Sequence, residues 1–127
     1  MPFDSEKVAD KLTEQGITQL YLIGGCHSTH NLNRLHQVLS KRKLQIQIIG
    51  IPSSIDNDIP FVDRSFGFET AVAEAVPFIQ AANVEAEAAE YGVGIVRLMG
   101  RETGILAVAA SLASRDVNVC VVPEIYF

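Results

Sequence analysis

Two carboxylates, Asp56 and Asp58, stand one residue apart just behind an apolar run. That run, Ile46 to Ile51 broken only by Gln47, stops abruptly at Pro52. From Pro52 through Ser53, Ser54, Asn57 and Pro60 the chain is too crowded with turn formers to be helix. Acidic residues delivered past the carboxyl end of a buried strand sit where open α/β proteins usually keep their chemistry. The segment therefore reads as an active-site loop. Asp and Asn also populate loops by bonding their own backbone, and the pattern alone leaves the two readings level.

The elements that must position this loop alternate between strand and helix. Asp4 or Ser5 caps a first helix, with Val8 and Leu12 on its apolar stripe and Gly16 as its stop. Leu20–Ile23 predicts a short buried strand, ended by Gly24-Gly25. A second helix opens at Thr29 or Asn31 and runs to about Lys41, with Leu32, Leu35, Val38 and Leu39 at helical spacing. Leu44–Ile51 is the second strand. A long helix is expected from about Gly67 to Ala89, with Val72, Val76, Ile79 and Ala82 or Asn83 inward. Pro77 falls inside it and should kink or break it at a cost of ~3 kcal/mol. Val93–Leu98 predicts a third strand and Val117–Val122 a fourth. Between them lies a helix from Glu102 to Ser114 whose inner face carries Ile105, Val108, Ala109 and Leu112. Continuously apolar strands alternating with helices give an α/β fold, four mainly parallel strands in a sheet covered on both faces. The carboxyl ends of those strands collect the remaining candidates: Gly24-Gly25-Cys26-His27-Ser28-Thr29, then Met99-Gly100-Arg101, then Glu124.

Composition narrows the classes. With 127 residues the chain is one domain or two very small lobes. A net charge of −5 and no basic face argue against nucleic acid. Cys26 and Cys120 are far apart and isolated, so they read as reduced thiols in a soluble protein of a reducing compartment. No apolar run reaches membrane-spanning length, and Met1-Pro2-Phe3-Asp4 opens into a polar helix, not a signal peptide. Cys26-His27-x-x-His30 matches no strong metal motif and lacks a fourth ligand, so no metal is assigned there.

Gly50-Ile51-Pro52-x-Ser54-Ile55-Asp56-Asn57-Asp58-Ile59 resembles the phosphofructokinase signature, a Pro-x-Thr-Ile-Asp-Asn-Asp run behind a buried strand. Phe66-Gly67-Phe68-Glu69-Thr70-Ala71 resembles the family's next helix start. Leu98-Met99-Gly100-Arg101 and Val122-Pro123-Glu124 resemble its following motifs, in the right order. Gly24-Gly25-x-x-Ser28-Thr29 resembles its phosphate loop. The likeness runs from about Thr18 to Phe127 and is nearest the plant and protist branch. It implies roles. Asp56 would be the general base that deprotonates the 1-hydroxyl of fructose 6-phosphate, and Asp58 would assist near magnesium and the phosphates. Ser54, where the family usually has Thr, would bond the transferring phosphoryl group, and Arg101 would supply positive charge to it. Met99, Gly100 and Glu124 would form the sugar-phosphate side. Gly24, Gly25 and Ser28 would let the backbone approach the phosphates of ATP or pyrophosphate at a helix start.

The departures fall on the donor side. Cys26 stands where the family has an Asp that helps hold the magnesium–phosphate end, and a thiol is a poor ligand for a hard cation. His27 replaces a small residue, and Ser53 leaves the donor type unread. A complete family domain is well over twice this length, beginning with another Gly-rich strand-loop and continuing past the Pro-Glu motif. By resemblance, residues 1–65 form part of one Rossmann-like lobe and 66–127 part of a second, each with bare sheet edges. The expectation is a truncated phosphofructokinase-like protein, inactive alone, with no cofactor of its own, serving as a structural or accessory subunit beside other protein chains that cover those edges. Two alternatives stand beside it: a segment of an active 6-phosphofructokinase, and a regulatory module that binds fructose 6-phosphate.

Overall fold

The structure, a computed structural model, describes residues 3–126. The chain divides into two compact units, Met1–Ser53 and Ser54–Phe127.

The first unit runs α1 (Ser5–Glu14), β1 (Gln19–Gly24), α2 (Cys26–Lys41) and β2 (Gln47–Pro52). Asp4 caps α1, its carboxylate accepting from the Lys7 N–H at 3.3 Å. That bond holds the Asp4 carboxyl below its ordinary value. α1 ends as expected before Gly16, whose φ of 65° suits glycine. β1 and β2 pair in parallel, Leu20 opposite Ile48 and Leu22 opposite Gly50. Ala9, Leu12, Leu35 and Leu39 form the core, with Leu20, Ile46 and Ile48 packed against it. The helices cover one face of the ribbon. Tyr21, Ile23 and Ile49 on the strands are exposed, so the expected cover on both faces is absent among the described residues.

The second unit is a loop followed by α3 (Phe68–Ala88) and α4 (Ile105–Ser114). The Ser54–Ser65 loop, expected with the first lobe, belongs to this unit. Ala75 and Ile79 of α3 meet Ala110 of α4, with Leu98 and Val117 packed on them. α3 continues unbroken through Pro77, so the break expected as one outcome does not occur. Its packing on α4 over turns either side of Pro77 outweighs the lost hydrogen bond. The inner face of α4 also differs: Leu106, Ala110 and Ser114 are buried, while Ile105, Val108 and Leu112 are exposed. α4 is apolar nearly all round, so periodicity could not choose a face, and the small Ala110 is what lets α3 approach.

Neither Val93–Leu98 nor Val117–Val122 is a strand, so the described residues hold two paired strands, not four. A strand exists only where its backbone finds a partner ladder. Here both segments line a cleft of about 820 Å³, and neither has a ladder partner among the described residues. The α/β class and the parallel pairing of the first unit stand.

Candidate active-site loops

In the first unit the turn from β1 into α2 is tight. α2 starts at Cys26, earlier than expected, because Gly25 in extended geometry serves as its N-cap. A Cβ on Gly24 would overlap Ser28 Oγ, so glycine is required there by close approach. Ser53 N–H donates to Gly24 C=O at 3.0 Å and Thr29 Oγ1 donates to Gly25 C=O at 3.2 Å. Gly24, Gly25 and Ser28 therefore sit together at a helix start, the geometry that favours an anion. The first turn of α2 carries no acidic residue, and Cys26 and His27 are exposed. Magnesium takes oxygen ligands, commonly one or two carboxylates, so this donor set does not fit it. No cluster of three His, Cys, Asp or Glu occurs among the described residues.

In the second unit the carboxylate loop is held by its own hydrogen bonds. Ser54 Oγ accepts from the Asp56 N–H at 3.1 Å, a turn that leaves the hydroxyl proton free to donate. Asn57 adopts the left-handed conformation, φ 49°, which Asn tolerates. Its Oδ1 accepts from the Ser65 N–H at 2.7 Å, and its Nδ2 donates to Asp63 C=O at 3.0 Å. Ser65, buried, donates through Oγ to Ser54 C=O at 2.5 Å, and Ser54 N–H donates to Phe66 C=O at 3.0 Å. Asn57 and Ser65 thus tie both ends of the loop together around Asp56. The motif reading used Asn57 only as a turn former and passed over Ser65. An Asn between two carboxylates, able to take positive φ, was the available signal for the first; nothing marked the second.

Arg101 Nη2 stands 3.8 Å from Asp56 Oδ2. The Asp56 side chain is 13% exposed and that of Arg101 72%, so the guanidinium keeps donors for an anion. Arg101 is aimed by Gly100, whose φ of 136° is open to glycine and whose Cβ would stand 2.8 Å from Thr103 C=O. Met99, beside it, is exposed, and so is Asp58. Glu124 goes elsewhere: its Oε1 accepts from the Gly104 N–H at 2.8 Å, at the start of α4. The Gly104 N–H first, then Glu124's own N–H and the Thr103 hydroxyl, hold its carboxyl below the ordinary 4.5. A Cβ on Gly104 would overlap Val122, which is why that close approach needs glycine. Ser54, Asp56 and Arg101 are therefore brought together, while Glu124 caps a helix and Asp58 has no partner among the described residues. This arrangement pairs a sheltered carboxylate, fit to accept a proton, with a hydroxyl and a cation fit to hold an oxyanion.

A family model described as Phosphofructokinase matches residues 1–127. ATP-dependent 6-phosphofructokinase 1 of Arabidopsis thaliana is 50% identical over 121 residues, which are 95% of this chain and 26% of that enzyme. ATP-dependent 6-phosphofructokinase of Trypanosoma brucei brucei is 42% identical over 97% of this chain and 25% of its own length. A crystal structure of the pyrophosphate-dependent phosphofructokinase of Marinobacter aquaeolei superposes with a TM-score of 0.70 and 24% identity, over 97% of this chain and 33% of that one. The chain spans about a quarter of the length of the curated relatives it matches.

Proposed function

This chain belongs to the phosphofructokinase family, and from that premise we propose that it is inactive alone and serves as a structural or accessory subunit of a larger assembly. The observation that carries this reading is uncovered surface. The chain exposes 9648 Å², whereas two separate compact units of these lengths would expose only about 8,000 Å². The excess, roughly 1,700 Å², is of the order of an interface. The donor loop supports the same reading, because the first turn of α2, with Cys26 and His27, offers no carboxylate suited to magnesium. Fructose 6-phosphate is the substrate of the family, but a sugar site without a donor site transfers nothing.

The test is a coupled assay of the chain with fructose 6-phosphate and either ATP or pyrophosphate, beside a native mass measurement. No turnover, together with association into a larger species, is the expected result. Turnover that disappears in Asp56→Asn would overturn the reading.

One observation favours a second reading, that the chain is a segment of an active 6-phosphofructokinase. Asp56, Ser54 and Arg101 stand together as the chemistry needs. In that reading Asp56 takes the proton of the sugar's 1-hydroxyl, while the Ser54 hydroxyl and Arg101 steady the negative charge on the transferring group. Stabilisation by fructose 6-phosphate without turnover would instead support the regulatory module. As for compartment, no helix among the described residues is long and apolar enough to cross a membrane.

A further inference from the structure

Ser65 is 4% exposed, and three of the contacts that order the carboxylate loop pass through it. Its Oγ lies 2.5 Å from Ser54 C=O and 3.1 Å from Asn57 Oδ1. Both neighbours are acceptors, and a hydroxyl has one proton. The Asn57 amide cannot turn to resolve this. Its Oδ1 already accepts from the Ser65 N–H at 2.7 Å, and its Nδ2 donates to Asp63 C=O at 3.0 Å. A turned amide would set a donor against the Ser65 N–H and an acceptor against that carbonyl. The Ser65 proton therefore goes to the nearer oxygen, Ser54 C=O. Phe66 C=O accepts from the Ser54 N–H at 3.0 Å, so residues 65 and 66 grip both backbone polar groups of Ser54. The gripped carbonyl belongs to the planar peptide unit between Ser54 and Ile55, inside the turn that Ser54 Oγ closes by accepting from the Asp56 N–H at 3.1 Å.

We propose that Ser65 is a positioning residue for phosphoryl transfer. By locking the Ser54–Ile55 peptide unit it holds the Ser54 hydroxyl and the Asp56 carboxylate in one arrangement beside Arg101. Ser65 is buried and acts through Ser54 and Asn57, not on the reacting atoms. A turn of Ser, Asp and Asn left to itself would sample several directions for each side chain. A group that takes a proton or steadies an oxyanion works only when held within about 0.5 Å of its productive place. The one proton of Ser65, forced onto Ser54 C=O by the fixed Asn57 amide, supplies that restraint. The inference deepens the second reading above, in which Asp56 is the base. Under the accessory reading the same geometry stands without being used.

The test uses the full chain with Ser65→Ala, which removes the donor, and Ser65→Thr, which keeps it. The parent and each variant are made with and without Arg101→Gln. The readout is the carbon-13 resonance of the Asp56 side-chain carboxyl, with urea unfolding of the same samples. In the parent, Arg101→Gln should displace that resonance, because the guanidinium stands beside the carboxylate. The displacement should persist in Ser65→Thr and fall by about half or more in Ser65→Ala, the sign that the two side chains no longer couple. Should Ser65→Ala fail to fold, Ser65→Cys, close in size but a weak donor, is judged by the same fall. A merely structural residue would lower the urea midpoint and leave the displacement whole, and that result overturns the proposal. No displacement in the parent, or equal loss in Ser65→Thr and Ser65→Ala, overturns it too. Turnover with fructose 6-phosphate is assayed separately on the parent. Its absence would count against the active reading alone, while the resonance judges the positioning.

Discussion

At the level of single residues, Asn57 and Ser65 matter more to the carboxylate loop than Asp58 does. Asn57 accepts from the buried Ser65 N–H, and Ser65 Oγ donates back to Ser54 C=O, so truncating either leaves part-buried polar groups unpaired. Asn57→Ala and Ser65→Ala should each cost about 1–3 kcal/mol in urea unfolding, whereas Asp58→Asn, exposed, should stay within about 0.5 kcal/mol. Equal effects at all three positions would show that the clamp does not hold the loop. Glu124 gives a pH signature. Its carboxyl is held below 4.5 in the folded chain by the Gly104 N–H. A depressed folded value means that its stabilising contribution is full above the unfolded value and is lost as pH falls through the folded one. Glu124→Gln should therefore be less stable than the parent at about pH 6, and the gap in urea midpoints should narrow as pH falls through the lowered folded value. Asp4, held down by the Lys7 N–H, adds a similar slope to both proteins, so the difference between them isolates Glu124. Part of the geometry was legible: the motif singled out Asp56 and Arg101, whose side chains stand 3.8 Å apart, and Ser54, whose Oγ accepts from the Asp56 N–H. Glu124 was not legible as a helix cap, because its partner Gly104 lies twenty residues away along the chain.

Among the elements, α3 and α4 each carry a local conflict that a substitution can relieve. Pro77 leaves the Ala73 carbonyl without its helical donor, yet α3 runs from Phe68 to Ala88. Pro77→Ala should restore that bond and raise unfolding stability by about 1–3 kcal/mol. A neutral or destabilising result would mean that a bend at Pro77 is needed for the Ala75–Ile79–Ala110 contact. α4 ends on Arg115 in the left-handed region, φ 65°, where a Cβ costs about 1–2 kcal/mol. Arg115→Gly should recover about 1 kcal/mol of it in thermal or urea unfolding. The helices and both paired strands could be read from sequence because their periods and stops are local. The third and fourth strands could not be settled that way. Their apolar runs are real, but strand formation depends on a neighbour that hydropathy does not reveal. The same limit misassigned the face of α4, since Ile105, Val108 and Leu112 are as apolar as the Leu106 and Ala110 that are buried.

For the molecule as a whole, the question is what the uncovered surface does when nothing covers it. Apolar side chains lie bare in each unit: Tyr21, Ile23 and Ile49 on the sheet of the first, Ile95, Val119 and Leu112 in the second. Contiguous exposed apolar surface marks an interface or an aggregation site. The unpaired backbone of 93–99 adds a template for edge pairing. The chain alone should therefore self-associate with rising concentration and bind a hydrophobic dye while still showing cooperative unfolding. Ile95→Lys with Val119→Lys separates the two causes. Both side chains are largely exposed, so their removal should change unfolding stability by no more than about 0.5 kcal/mol. They flank the cleft, so two lysines should repel an incoming edge and cut association sharply. Sedimentation at several concentrations and urea unfolding of the same samples decide the matter. If the double variant unfolds much more easily, those side chains are packed in solution and the surface is not bare. If it stays stable and still associates as the parent does, the sticky surface is the sheet face of the first unit, and Ile23→Lys becomes the variant that disperses the chain.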